Sequence, residues 1–467
     1  MIIRALTFIL TGATIAAVIS TLLLHNYARI SCHWKWSNHD SFVRMVVMAD
    51  PQMEGDAKIA RLGKRAHIDL AFNDAYMHHV YRSMMSPSWS PLYSLWNLVS
   101  PNIHEHQHGI SSSTWIQPPT IPTHVTILGD LFSSQWIDNT EFDVRLKRYQ
   151  SIFTDPLSTM TSSFPYLQIA EQDTPELINI TGNHDIGYGY DISQTRIERW
   201  EQAFGKSNFV TTTRIPSLGE KGESQTLHFV MLNTMLIDGP SADENLRGQT
   251  WEFLQEASRI KERNPKDKIV LLTHIPFHKE KGVCVDPPDI RVHWDNTIIE
   301  QTMLTPNTTS WILDNLQPDF VLNGHDHEGC DTLHVATTDL DDNSDVTWTA
   351  YSTASFPQTS KYIHNPVHKT VREITQRSMM AEFGGYSGLF EVRVIKPVVA
   401  GGDQDELEFS YEPCAFYRDL PVWVVIVTDL IVVGAWGCVG AVWGLVHVWN
   451  AARIRRTTTL SFKEKML

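Results

Sequence analysis

The chain has 467 residues, 42% of them hydrophobic, and a formal net charge of −15. That size and apolar content suffice for one large core or two modest ones. The acidic balance excludes a broad nucleic-acid footprint, so no nucleic-acid partner is expected.

In chain order, Ala5 to Leu24 comes first; it holds no charged residue and is about one bilayer crossing long, at ~20 residues. A cleaved signal peptide is the alternative, but the run exceeds the usual ~7–15-residue signal core. Next come five apolar runs, FVRMVVMAD, HVTILGD, ELINITGNHD, KIVLLTH and DFVLNGHDH. They end in Asp50-Pro51-Gln52, Gly129-Asp130, Gly182-Asn183-His184-Asp185, Thr273-His274 and Gly324-His325-Asp326-His327. Short apolar runs bounded by such strings read as buried strands. Helix-like segments over residues 65–85, 193–204 and 250–260 follow three of the runs. Strands alternating with helices imply βαβ units in a layered α/β domain, with ligands at the carboxyl ends of the strands.

Residues 86–123 break the pattern; His104, His106 and His108 lie there and read as exposed-loop residues rather than a metal site. Asp339, Asp341, Asp342 and Asp345 read as a solvated loop. Strand-like runs between residues 346 and 411 give a β-rich end.

A second apolar stretch, Val422 to Trp449, is interrupted only by Asp429 and His447 and is followed by Arg453, Arg455 and Arg456. The positive-inside bias places those arginines in the cytosol. The expected organisation is a cytosolic N-terminus (1–4), a transmembrane helix (5–24), a lumenal domain (25–421), a transmembrane helix (422–449) and a cytosolic tail (450–467). Gly12, Ala16 and Ser20 recur at four-residue spacing in the first span, as do Gly440 and Gly444 in the second, a pattern that permits close helix approach. Lys463 and Lys465 near the end resemble a dilysine retrieval signal, an address read by the COPI coat.

Four cysteines fall in the lumenal segment and allow three pairings. Cys32 and Cys414 lie near the two spans, while Cys284 and Cys330 follow the last two motifs, which favours Cys32–Cys414 and Cys284–Cys330. Asn307-Thr308-Thr309 is a glycosylation sequon in a polar stretch, and Asn179-Ile180-Thr181 sits in a strand.

Carboxylates, amides and imidazoles at five strand ends across 278 residues are the donor set of a two-metal hydrolytic site, where paired cations hold the ester oxygens and acidify a water. Asp130 is the candidate bridge. Asp50 and His327, with Gln52, would complete one ion, and Asn183, His274 and His325 the other. His184 is placed to protonate the leaving oxygen, with Asp185 orienting that imidazole or the loop.

The series resembles the calcineurin-like metallophosphoesterase superfamily, with its pattern DxH…GDxxD…GNH(D/E)…H…GHxH. The strings MADPQ, LAFNDAYM, GNHDIGYG, GHDHEGC and RSMMAEFGGYSG, with the two spans, are similar to endoplasmic reticulum phosphoesterases that remodel glycosylphosphatidylinositol (GPI) anchors, fungal members in particular. The resemblance implies a metallophosphoesterase β-sandwich flanked by helices, with one transmembrane helix at each end. It implies removal of an ethanolamine phosphate branch from a mannose of the GPI glycan, in the endoplasmic reticulum membrane with cycling to the early Golgi. GPI-anchored proteins would be the substrates, and an adaptor that recruits cargo for export is left open. Two positions depart from the pattern: Gln52 replaces the His of DxH, and Ser133 the second Asp of GDxxD. An amide oxygen is a hard neutral donor, so two divalent ions, Mn²⁺ rather than Zn²⁺, are expected. Gly384, Gly385 and Gly388 fit either a close substrate approach or a turn. Hydrolysis of another lumenal phosphoester, or a non-catalytic receptor for GPI-anchored cargo, are the alternative functions.

Overall fold

The computed structural model describes residues 2–25, 27, 32–36, 41–85, 122–153, 175–217, 224–338, 346–356, 367–396, 405–416 and 419–464. His104, His106, His108, the acidic run 339–345 and Lys465 lie outside the described residues, as does the side chain of Lys463. The chain divides into two units, Met1–Tyr27 with Tyr417–Leu467, and Ala28–Phe416.

The larger unit carries strands β1 (Ser41–Met48), β2 (His124–Ile127), β3 (Glu176–Asn179), β4 (Phe209–Ile215), β5 (Gln225–Met231), β6 (Lys268–Leu272), β7 (Ile290–Val292), β8 (Ile298–Gln301), β9 (Phe320–Asn323), β10 (Cys330–Thr338), β11 (Val346–Ser352), β12 (Val367–Thr375), β13 (Tyr386–Ile395) and β14 (Glu406–Ala415). One sheet has the order β14-β13-β1-β2-β3, the other β11-β10-β12-β9-β6-β5-β4; β7 and β8 form a separate hairpin. Strands β1, β2 and β3 run parallel, as do β5, β6, β9 and β12. The remaining pairings in both sheets are antiparallel.

Alternation along β1 explains the layering. Val43, Met45 and Val47 pack with Phe229, Val270, Leu272, Phe320 and Phe390 in the core shared by the two sheets. Val46 and Met48 point the other way, into a cluster with Met77, Tyr81, Tyr149 and Phe153 from the helices Lys64–Met85 and Asn139–Phe153. A strand buried on both faces has no polar side to show, which is why residues 45–48, beyond Arg44, read as an unbroken apolar run.

Three helices expected from the sequence are present as Lys64–Met85, Gln194–Phe204 and Glu244–Arg263. The last begins six residues before the expected start, because the Asp243 carboxylate accepts from the backbone N–H groups of Asn245 and Leu246 and caps a polar first turn. Disulfides join Cys32 to Cys414 and Cys284 to Cys330, each with Cα atoms 5.6 Å apart, the pairing favoured above. Asn307 is exposed on the short helix Pro306–Trp311 rather than in a loop, because Thr305 caps that helix and Pro306 starts it. Gly384 and Gly385 have φ of 88° and 56° and form the turn into β13, so the turn reading holds for them.

In the smaller unit, helices Ile2–His25 and Asp419–Glu464 contain apolar stretches Thr7–His25 and Trp423–Arg453 long enough to cross a membrane. The second helix runs on past Trp449 without a break. The two helices pack together, but not along the small-residue stripes. A side chain at Gly12, Gly440 or Gly444 would meet nothing within 4 Å. Leu10, Ala17 and Val432 are the buried apolar residues instead. Thr21 Oγ1 donates to Asp429 Oδ2 at 2.8 Å and Trp436 Nε1 to Thr14 Oγ1 at 2.8 Å. These two hydrogen bonds pair polar groups between the helices.

Candidate metal centre

Each strand ending in a motif delivers its polar residue to the same place. Asp50 follows β1, Asp130 follows β2, Asn183 and His184 follow β3, His274 follows β6, and His325 and His327 follow β9. Asp50, Asp130, Asn183 and His274 are buried. Ligand atoms of Asp130, His274 and His325 lie within 4.8 Å of one another, and so do those of Asp50, Asp130 and His327. Asp130 belongs to both groups.

The local backbone is built for this convergence. Six non-glycine residues among those described have positive φ, and four are Asp50, Gln52, Asp130 and His325. Such conformations cost about 1–3 kcal/mol each and persist where the surroundings enforce them, as at functional sites. Glycines make the room: a Cβ on Gly129 (φ 92°) would sit 2.3 Å from His274 Nδ1, and one on Gly182 would sit 2.1 Å from Asp130 Oδ1.

Hydrogen bonds fix which atoms face inward. His274 Nδ1 donates to the Leu128 carbonyl at 2.7 Å, which leaves Nε2 as the coordinating atom. That Nε2 lies 3.0 Å from Asn183 Oδ1 and 3.3 Å from Asp130 Oδ1. His325 Nε2 likewise donates to the Gln301 carbonyl at 2.8 Å, leaving Nδ1 for a ligand. Asp50 accepts from the His325 backbone N–H at 3.2 Å.

Acceptor atoms so gathered need a cation between them. Burial pushes the Asp50 carboxyl well above its ordinary value, with His274 opposing and Asp130 adding to the rise. Burial opposes charge on His274 as well, yet Asp130 and Asp50 push its pKa up to about 9. Burial would also raise Asp130, but His274 and His184 hold it well below the usual carboxylate range. His325 is lowered to about 3 by burial and by His274. A protonated His274 can neutralise this cluster, and so can divalent cations, which suit its carboxylate, amide and imidazole donors better than a lone proton does.

Gln52 departs from the role read in the sequence. Its Nε2 lies 3.1 Å from Asp130 Oδ2 and 3.1 Å from His327 Nε2, so the amide faces those two residues as a donor, not a ligand. A half-turn of the amide would present Oε1 instead. Asp185 takes the second of the two roles read for it, the loop. It accepts from the backbone N–H groups of Phe132 at 3.1 Å and Gly182 at 2.8 Å, so it holds the loop rather than the His184 ring. Burial and the nearby Asp130 raise its pKa to about 7. His184 is partly exposed, with Nε2 3.8 Å from Asp130 Oδ2 and its backbone N–H donating to Asp130 Oδ1 at 2.9 Å. It is the titratable group of the set that reaches solvent most openly.

Several supporting residues have no signature in the sequence. Arg145 is buried and donates to the Met53 carbonyl and Ser133 Oγ, both at 2.9 Å, tying the loops after β1 and β2 together. Ser133 thereby has a structural partner. Glu373 accepts from the Phe277 N–H at 2.8 Å and Asn323 Nδ2 at 2.7 Å, joining the chain beyond His274 to the strand before His325. Burial would raise that carboxyl, but Lys279 at 2.9 Å and His334 at 2.6 Å hold it well below its ordinary value. Ser378 donates from N to the His327 carbonyl and from Oγ to the Asp50 carbonyl, and the Phe383 ring lies 4.5 Å from His327. The string RSMMAEFGG thus backs the centre directly.

A two-sheet sandwich with a carboxylate shared between two ligand groups at the strand ends defines a metal-dependent phosphoester hydrolase. The calcineurin-like phosphoesterase family matches residues 70–329, and the chain belongs to that family. The match takes in Asp130, Asn183, His184, His274, His325 and His327 and begins after Asp50 and Gln52. The chain is 28% identical to Protein TED1 of Saccharomyces cerevisiae, across 86% of this chain and 83% of that protein. It is 30% identical to an uncharacterised protein of Schizosaccharomyces pombe, across 64% of each. Metallophosphoesterase 1 of Xenopus laevis is 26% identical across 49% of this chain and 56% of that protein. In the last two cases the chain spans less than two thirds of its relative.

Proposed function

We propose that this hydrolase removes an ethanolamine phosphate branch from a mannose of the GPI glycan, and so promotes export of GPI-anchored proteins from the endoplasmic reticulum. The observation that carries the reading is a hydrolytic centre in a chain with an apolar, membrane-length helix at each end. A phosphodiester on a lipid-anchored glycan is a substrate such an enzyme meets in the plane of the bilayer. The strings shared with GPI-remodelling phosphoesterases support the same choice, and RSMMAEFGG packs on Asp50 and His327. In this reading residues 25–421 are lumenal and both termini are cytosolic, with the Lys463–Lys465 tail engaging COPI.

Asp50, Asp130 and His327 would hold one divalent ion, with Gln52 once its amide turns; Asp130, Asn183, His274 and His325 would hold the other. Mn²⁺ fits this oxygen-rich set. When bound, the ions supply charge to the phosphoryl oxygens and an acidified water. The chain's own contribution is positional and acid–base. Asp185 holds the Gly182–His184 turn, and His184 donates its proton to the mannose oxygen as the phosphorus–oxygen bond breaks. The water oxygen ends on phosphorus, releasing ethanolamine phosphate and a free mannose hydroxyl. Mass spectrometry of GPI glycans from cells lacking the protein should show one added ethanolamine phosphate on one mannose. An unaltered glycan profile would contradict the substrate.

A further inference from the structure

A cleft of about 1000 Å³ opens beside the metal centre, with Gln52 in its wall. It lies among the chain after β1, the helices Lys64–Met85 and Asn139–Phe153, the turn after β2, and the turn at Met380–Glu382 before β13. That volume is at the top of the range for small-molecule sites, about 300–1,000 Å³, and is far more than a phosphate group needs. On its wall stands Trp136, 72% exposed. The residues on either side of it are fixed. Gln135 is buried and its Nε2 donates to Asp191 Oδ2 at 3.2 Å, while the Ile137 carbonyl accepts from Arg199 Nη1 at 2.8 Å. The turn therefore fixes the backbone that carries an exposed indole on the wall of the cleft, which reduces what a ligand must order to the side chain itself.

Charge narrows what fits. Four carboxylates and three cations line the cleft, among them Glu54, Glu382, Lys58 and Arg61. Donors and acceptors in near balance suit a neutral polyhydroxyl ligand and disfavour a polyanion. An indole face offers a flat apolar surface to the C–H face of a pyranose. We propose that this cleft is a glycan subsite, in which Trp136 stacks on a sugar ring of the substrate while its phosphodiester reaches the metal centre past Gln52. The proposal deepens the glycan reading above and rests on it for the identity of the sugar.

The test uses the full chain in detergent with 2-aminoethyl p-nitrophenyl phosphate, a diester without sugar, as substrate and α-linked mannotriose as inhibitor. Mannotriose should inhibit the wild type competitively, Trp136→Ala should raise its inhibition constant by about tenfold or more, and Trp136→Tyr should restore most of the loss. No inhibition of the wild type, or inhibition undiminished in Trp136→Ala, would overturn the subsite. So would a Trp136→Tyr variant that hydrolyses the ester normally yet binds mannotriose no better than Trp136→Ala. If mannotriose inhibits through Trp136 but the wild type releases no ethanolamine phosphate from GPI glycans, the proposed substrate falls and the subsite stands.

Discussion

At the scale of single residues, Asp130 carries the most. It is shared by both ligand groups, and its two oxygens face His274 and Gln52 respectively. Asp130→Asn should abolish hydrolysis and bring metal content below two ions per chain by elemental analysis, because a neutral amide cannot offset two cations. Undiminished two-metal loading in that variant would remove Asp130 from the bridging role. In the proposed centre, where the Gln52 amide turns its oxygen to the ion, that oxygen would set metal preference. Gln52→His should raise Zn²⁺ affinity relative to Mn²⁺ in competition titrations, since imidazole is the softer donor; an unchanged preference would defeat that argument. The cluster residues were legible in the sequence because each polar string closes an apolar run, and strand ends are where such folds gather ligands. Orientation was not legible. Nothing in DPQ says that the Gln52 amide turns its NH₂ toward Asp130 and His327, and nothing in GNHD says that Asp185 serves two backbone N–H groups.

At the scale of elements, doubly buried strands were readable and the helix Asn139–Phe153 was not. Its inward face is Phe142, Arg145, Tyr149, Ile152 and Phe153, and a buried arginine in the middle disrupts the apolar period that marks a helix. Glu373 hides in the same way, as one of three charges in β12, and its partners, Lys279 and His334, come from distant segments. Strand β2 carries a titratable group of its own. His124 is buried with its ring 5.2 Å from Phe229, and burial lowers its pKa to about 4. The unfolded chain, with this group near pKa ~6.5, binds more protons than the folded one between about pH 6.5 and 4. Stability should therefore fall as pH drops through that window, with this group contributing on the order of 3 kcal/mol at full effect. Denaturation curves of His124→Gln against wild type should show the variant losing less stability between those pH values. Parallel losses would show that His124 is protonated in the fold.

At the scale of the whole chain, each unit has its own logic. The helix pair of the smaller unit is joined through Leu10, Thr14, Ala17 and Thr21, a face the small-residue spacing did not mark. With Cys438 replaced by Ser, cysteines at positions 14 and 436 should cross-link within one chain, and adding Gly440→Leu and Gly444→Leu should leave that yield unchanged. A yield lost with the leucines would restore the glycine stripe as the contact. The larger unit is a phosphoester hydrolase whose substrate is the central claim. The most direct measurement incubates the purified full chain with Mn²⁺ and an isolated GPI glycan and follows ethanolamine phosphate by mass spectrometry. Release from one mannose is expected, slowed by about 10²–10⁴-fold in His184→Ala with both ions still bound. An intact glycan in a preparation that hydrolyses a nitrophenyl diester would contradict it.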